Sequence, residues 1–225
     1  MGGKKKPWLE LSGAPVLMHA LRPFLKDSRV VAVAVALAPD DASDPPTWLG
    51  ALDPRVAIVA GGASRTASVA ESVAALPLDL DVILVHDAAR PLVDAGSIDR
   101  CIRMAATGVG AVVGIPAVDT LKRVSGKGLS GGEAPTIVDT PDRSTFWHAQ
   151  TPQGFPAGMF RSALTRVDLY ATTTDDASLV EATGGRVVMV EGHSRNLKVT
   201  RPEDLPVAEL HLQRLMEAIA AGEIA

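Results

Sequence analysis

Three side chains able to bind or screen charge follow directly on an apolar run. Asp81-Val82-Ile83-Leu84-Val85 leads into His86, Asp87 and Arg90, and Pro91 ends the extended segment. Ligands of open α/β sheets collect at the carboxyl ends of strands, and Ala88-Ala89 leave room for a ligand to approach the backbone. The same spacing also suits a loop salt bridge from Asp87 to Arg90 with His86 as packing, and spacing alone does not choose between the two. A second stretch, Gly61-Gly62-Ala63-Ser64-Arg65-Thr66-Ala67-Ser68-Val69, places two glycines and then hydroxyl residues at the start of an Ala/Val helix. That arrangement seats an anion on a helix N-terminus. It matches neither the Walker pattern nor the dinucleotide fingerprint, and a capped strand-to-helix turn with Ser64 as N-cap explains it equally well.

The remaining reactive residues read more plainly. Cys101 is the only cysteine, which excludes an internal disulfide framework and suits a reducing compartment; on an apolar helix it reads as a small buried hydrophobe. Lys4-Lys5-Lys6 is the only basic run, and the formal net charge is −4. Nucleic acid is therefore not the electrostatic default. Mean hydropathy is +0.18, yet no uncharged run approaches the roughly 18 residues a membrane span needs, and no secretory core follows the lysines. The expectation is a soluble, cytoplasmic protein without a membrane partner.

The elements that must position these residues alternate. Pro15 opens a helix carrying Val16, Leu17, His19, Ala20, Leu21, Phe24 and Leu25 near helical spacing. Val30 to Ala38 and Arg55 to Ala60 read as buried strands around a turn cluster at Asp40–Pro46 and a short helix at Trp48–Leu52. The Val82–Val85 strand reads as buried on both faces. A helix through Ser97–Ala106, a strand at Gly108–Ile115, a helix at Met159–Leu169, a short helix closed by Gly184-Gly185 and a strand at Arg186–Glu191 follow. Thr200-Arg201-Pro202-Glu203 reads as a capping box for a final helix with Leu205, Ala208, Leu212, Leu215 and Ile219 on one face. The pattern predicts one α/β domain over residues 1–225, a three-layer fold with a mostly parallel sheet. Residues 117–148 depart from it: they alternate, turn Gly-rich at Gly126–Gly132, and alternate again. This reads as a projecting β-arm, too narrow to bury its own faces and therefore expected to pack on a second subunit.

Val85–Pro91 (VHDAARP), Asp119-Thr120 with Lys122, Asp142-Arg143 with Trp147–Gln153 (WHAQTPQ), Thr174–Ser178 (TDDAS) and Asn196–Leu205 (NLKVTRPEDL) resemble, in order and at matching separations, the 2-C-methyl-D-erythritol 4-phosphate cytidylyltransferase family. The resemblance implies a Rossmann-like homodimeric nucleotidyltransferase that moves CMP from CTP to the substrate phosphate with Mg²⁺, held mainly through the CTP phosphates. It implies Lys6 and Lys198 as cations at the triphosphate and α-phosphate, and Arg143 as an arm residue reaching the substrate phosphate of the opposite subunit, supported by Thr120. Asp87 would hold a polyol hydroxyl, with Arg90 beside it; Thr151, Thr174 and the backbone at Ala88 would complete that pocket. Gly62, Ala63 and Ser68 match the cytosine-reading segment. Asp175 and Asp176 read as charges at a helix N-terminus, and His86 and His148 as structural.

The departure lies at the front. The family opens with an apolar strand and a Gly-rich, Arg-containing loop, and Met1 aligns just beyond it. The implied sheet lacks a mid-sheet strand, leaving backbone donors and apolar faces uncovered; a start assigned too late, or a chain without full activity, would each produce this. Two alternatives stand beside the main reading: transfer to another polyol phosphate such as ribitol 5-phosphate, and a non-catalytic CTP-binding dimer.

Overall fold

The computed structural model describes residues 6–125, 134–166 and 175–222. After a 3-10 turn at Lys6–Trp8, the short pair β1 (Glu10–Leu11) and β2 (Ala14–Pro15) leads into helix α1 (Val16–Lys26). Strand β3 (Val33–Leu37), helices α2 (Pro39–Ser43) and α3 (Thr47–Gly50), strand β4 (Val56–Ala60) and helix α4 (Arg65–Ala74) follow. Next come β5 (Val82–Val85), α5 (Ala95–Ala106) and β6 (Gly110–Pro116), then the arm strands β7 (Arg123–Val124) and β8 (Ile137–Asp139). The long β9 (Trp147–Pro156), α6 (Ala157–Arg166), α7 (Ala177–Ala182), β10 (Val187–Glu191) and α8 (Asp204–Ala220) complete the chain.

The body is an α/β assembly with a mixed sheet. Four strands run in the order β10-β6-β9-β5, and β3-β4 form a separate pair. Pairs β10–β6 and β3–β4 are parallel, whereas β9 lies antiparallel to both β5 and β6. The antiparallel entry follows from connectivity: β9 returns from the arm and need not cross over a helix. β9 was legible only as a return to the body, but it is the sheet's best-covered strand, buried from Gln150 to Phe155. Phe155 stacks on Phe160 of α6 with centroids 4.6 Å apart, and both are fully buried. At Gly154, an added Cβ would stand 2.7 Å from Leu84 Cδ2 and 2.8 Å from Cys101 Sγ, so the missing side chain is what lets α5 close onto β9. Cys101 is buried as expected, and burial pushes its thiol up to about 12.

Several expected elements differ. The Asp40–Pro46 turn cluster begins as α2, because Pro39 at the first helical turn and Asp40-Asp41 behind it suit a helix N-terminus. The expected capping box at Thr200–Glu203 is reversed: α8 starts at Asp204, whose carboxylate accepts from Thr200 N at 2.7 Å, Arg201 N at 2.8 Å and the Thr200 hydroxyl at 2.9 Å. Its predicted face buries Ala208 and Leu212 but leaves Ile219 51 % exposed. Gly184, at φ +83°, closes α7 as expected.

The largest difference concerns β3 and β5, which read as buried on both sides. Their outer edges instead face one another across a groove of about 990 Å³, lined on the apolar side by Leu17, Phe24, Val35, Val73, Leu80 and Ile83. No strand among the described residues occupies it. The groove leaves Ala36 exposed and Val33 only half-buried.

The arm leaves the body after Pro116 and returns through the 3-10 turn Arg143–Thr145. β7 and β8 pair antiparallel, held by Lys122 Nζ donating to Thr140 Oγ1 at 2.7 Å and by an Arg123–Asp139 ion pair at 3.3 Å. The glycines expected near its tip, Gly126, Gly128, Gly131 and Gly132, lie outside the described residues.

Candidate active site

Everything converges on Asp87. Strand β5 ends at Val85, and the chain then turns so that Arg90 N donates to Asp87 O at 3.0 Å. Two side chains hold this turn from behind. The Thr151 hydroxyl accepts from Asp87 N–H at 3.0 Å and lies 3.0 Å from His86 Nδ1; His86 Nε2 lies 3.1 Å from Arg90 O. One tautomer satisfies all three: Nε2–H donates to the carbonyl, and bare Nδ1 accepts from Thr151. Burial pushes His86 down to about 4, so the ring stays neutral. His86 is structural, as expected. Thr151 is 4 % exposed, so its hydroxyl sets the Asp87 backbone from beneath and does not line an open pocket.

The loop after β10 lies against this turn. Val199 N donates to Ala89 O at 2.8 Å, Arg90 Nη1 donates to Asn196 O at 2.7 Å, and Asn196 Nδ2 donates to Thr151 O at 2.8 Å. Asn196 is fully buried and makes the junction between β9 and both loops. The result is that Lys198 Nζ reaches Asp87 Oδ2 at 2.9 Å, with Arg90 Nε at 3.4 Å from the same oxygen. The loop salt bridge expected between Asp87 and Arg90 is thus present, and Lys198 joins it on the same oxygen. A third cation comes from an unexpected direction: Arg65, first residue of α4, places Nη2 3.8 Å from Asp87 Oδ1. Burial would raise the Asp87 carboxyl, but Lys198, Arg65 and Arg90 outweigh it and hold the group below the usual carboxylate range.

Asp176 is the larger correction. It reads from sequence as a helix-terminal charge, and Asp175 does play that part, its Oδ1 accepting from Ser178 N at 3.1 Å. Asp176, with no exposed surface, instead receives the Arg65 guanidinium as a fork, Nη1 to Oδ1 at 3.0 Å and Nη2 to Oδ2 at 2.6 Å. Burial pushes the Asp176 carboxyl above its ordinary value, against the pull of Arg65. Buried Gln153 on β9 anchors the same corner: its Oε1 accepts from Asp176 N and Ala177 N at 3.1 and 2.9 Å, and its Nε2 donates to Asp175 at 3.1 Å. Arg65 had a sequence signal that went unread. A cation in the first turn opposes the helix dipole, so an arginine there implies an anionic partner elsewhere in the fold.

The remaining expected residues fall into three groups. Gly62 and Ala63 form the turn into α4, capped by Ser64, whose Oγ accepts from Ala67 N at 3.0 Å, and Ser68 stands in the first turns of the helix, its Oγ donating to Ser64 O at 2.9 Å. A Cβ on Gly62 would stand 2.5 Å from Ala67 Cβ, so only glycine passes there. Gly62 and Ala63 are exposed, and Arg65 of the same turn puts this segment beside Asp87. Ala88 packs half-buried against the cluster of Leu17, Val35 and Leu37. Arg143 and Thr120 are exposed on the arm, with Arg143 Nη1 donating to Val118 O at 2.6 Å; they are not among the side chains gathered at Asp87. Lys6 opens the first 3-10 turn, its side chain outside the described part, and Thr174 lies outside the described residues.

Three cations thus stand around one carboxylate at the end of a β-strand, beside a glycine turn, on a Rossmann-like α/β fold, the class of the nucleotidyltransferases. The comparisons sharpen that class. The family model of IspD, 2-C-methyl-D-erythritol 4-phosphate cytidylyltransferase, matches residues 1–214. The enzyme of that name from Aeromonas hydrophila is 42% identical over 214 residues, covering 93% of this chain and 82% of the relative; that from Streptomyces avermitilis is 42% identical over 219 residues, covering 94% and 86%. The solved 2-C-methyl-D-erythritol 4-phosphate cytidylyltransferase of Thermus thermophilus superposes with a TM-score of 0.76 at 33% identity, covering 92% of this chain and 94% of that one. This chain belongs to the 2-C-methyl-D-erythritol 4-phosphate cytidylyltransferase family.

Proposed function

We propose that this chain transfers CMP from CTP to 2-C-methyl-D-erythritol 4-phosphate, releasing pyrophosphate and 4-diphosphocytidyl-2-C-methyl-D-erythritol. A phosphate oxygen of the acceptor attacks the α-phosphorus; the new P–O bond forms as the bond to the β-phosphate oxygen breaks, and pyrophosphate carries away the electron pair. Both reactants are anions, so the protein's task is to screen repulsion and stabilise charge at the α-phosphate. The observation that carries the reading is the Asp87 cluster: Lys198 is held at 2.9 Å from Asp87 yet half-exposed, ready to donate to a phosphate oxygen. Arg90 is braced behind it. Lys6 supplies a second cation to the triphosphate. Asp87 takes a polyol hydroxyl beside the Ala88 backbone, Thr151 acts through the Asp87 backbone, and the family resemblance assigns Thr174 to the same substrate. Gly62, Ala63 and Ser68 face the cytosine.

Mg²⁺ is the accompanying cation. No group of three His, Cys, Asp or Glu side chains suited to a metal stands among the described residues, and Asp87 is already engaged by Lys198. A divalent ion would be held mainly through the CTP phosphates, as the family resemblance implies, with Asp87 nearby. When bound it neutralises charge on the triphosphate.

The active form is a homodimer joined through the arm. Val118, Ile137 and Val138 are 73 %, 57 % and 63 % exposed, a share of apolar surface that a second copy would cover. Arg143 and Thr120 then serve the partner's substrate phosphate, where arginine donates in a bidentate fashion. The enzyme works in the cytoplasm on soluble substrates; no helix among the described residues is long and apolar enough to cross a membrane.

One assay tests the reading: pyrophosphate release from CTP with methylerythritol phosphate, with ribitol 5-phosphate, and with neither. Release that depends on methylerythritol phosphate and disappears in Lys198→Ala supports it; release only with ribitol phosphate overturns the substrate. CTP binding with no release favours the second reading, a CTP-binding dimer without turnover.

A further inference from the structure

Arg65 is held more firmly than a surface ion pair requires. Its fork to Asp176 joins α4 to α7, and Gln153 fastens the Asp176 backbone to β9. Three elements therefore aim one guanidinium, whose side chain remains 37% exposed. Its Nη2 also approaches Asp87, and the two oxygens of that carboxylate are treated differently. Oδ2 takes Lys198 at 2.9 Å and Arg90 at 3.4 Å, while Oδ1 faces Arg65 Nη2 at 3.8 Å. That distance is too long for a hydrogen bond, although both groups are oriented by their other partners.

We propose that Arg65 and Asp87 Oδ1 together form a hydroxyl-reading pair, with Arg65 binding substrate directly and Asp176 and Gln153 acting as its positioning residues. An oxygen about 2.8 Å from each group sits at the apex of the 3.8 Å base. It accepts from the Nη2–H and donates its own O–H to Oδ1. Arginine only donates and an ionised aspartate only accepts, so the group that fits must do both at one atom. A hydroxyl does; a hydrogen, a methyl group or a carbonyl oxygen does not. The pair thus selects a polyol carrying a hydroxyl at one defined carbon. The inference rests on the methylerythritol phosphate reading above and adds a specificity-determining residue to it.

The test compares wild type, Arg65→Met and Arg65→Lys on methylerythritol phosphate and its monodeoxy analogues at C1, C2 and C3. Kd is read by calorimetry, and KM and kcat by pyrophosphate release. Losing a hydrogen bond to a charged group weakens binding roughly 10- to 100-fold. Arg65→Met is expected to weaken methylerythritol phosphate by about that factor and CTP by less than about twofold. Against one monodeoxy analogue, already weakened in wild type, the same substitution should cost under about threefold, because the oxygen it served is gone. Arg65→Lys retains a donor and should recover part of the loss.

Equal penalties on all three analogues would overturn the proposal and leave Arg65 a structural brace; so would unchanged affinity for the parent substrate. If Arg65→Met fails to fold, Asp176→Asn frees the fork at constant size, and the same analogue-specific loss is required of it. Wild type that binds ribitol 5-phosphate or CTP but not methylerythritol phosphate overturns the substrate reading itself, and this proposal with it.

Discussion

Lowering the pH should destabilise this protein through the titration of His86. The ring is neutral in the fold because burial drives it from 6.5 to about 4, while Nδ1 is occupied as an acceptor from Thr151 and the ring packs 4.9 Å from Phe24. The unfolded chain binds a proton at about 6.5, so between 6.5 and 4 it carries one more proton than the native state. Stability therefore falls as pH falls through that window. With those two values the loss is about 2 kcal/mol between pH 7 and pH 5 and about 3 kcal/mol once both states are protonated. Urea unfolding at a slope of about 2.5 kcal/mol/M would show a midpoint lower by about 0.8 M at pH 5 than at pH 7. His86→Asn, which retains a side-chain amide but no titrating group, is expected to be less stable at pH 7 yet to lose clearly less than wild type by pH 5, the remainder coming from His193, which burial also lowers. If variant and wild type show parallel pH slopes in this range, His86 is not the titrating group and the tautomer assigned to it is wrong. The carboxylates act differently: Asp87 and Asp94 are held below their ordinary values, so their contribution is lost only below about pH 4, whereas burial raises Asp176, which takes up its proton in the fold before it would in the unfolded chain.

Lys198→Ala and Arg143→Ala should each lower turnover by about 10²- to 10³-fold; because the two residues are assigned to different subunits of one site, mixing the inactive variants should restore part of the activity, and no restoration after verified subunit exchange would refute a shared site. Backbone amides of β3 and β5 that face the groove should exchange with solvent far faster than those of Ala111–Val113 in β6, which is paired on both sides; equal protection would mean the groove is closed in solution. Cys101, with no exposed surface and a thiol pushed up to about 12, should resist thiol reagents in the native state and react fully in urea; prompt native labelling would contradict the packing of α5 on β9.

Residue types and local spacing determined a good deal of this protein. Apolar runs ending in polar clusters marked β4, β5, β6 and β10, because a buried strand cannot carry charge until it leaves the sheet. Ser64 before α4 and Gly184 after α7 announced helix boundaries through groups that act within a few residues of themselves. The Asp87 neighbourhood was visible for the same reason, being written in one continuous stretch that matches the family. The tertiary structure alone decided what lies far apart in the chain. Arg65 and Asp176 are 111 residues apart, and neither segment shows that one cancels the other's charge. Gln150, Gln153 and Asn196 look like ordinary polar residues until β9 is placed between β5 and β6, where their amides hydrogen-bond the loop after β10 and the start of α7. The groove beside β5 follows the same logic. A strand's sequence records that its side chains are apolar, but whether each backbone edge finds a partner depends on which other strand stands next to it.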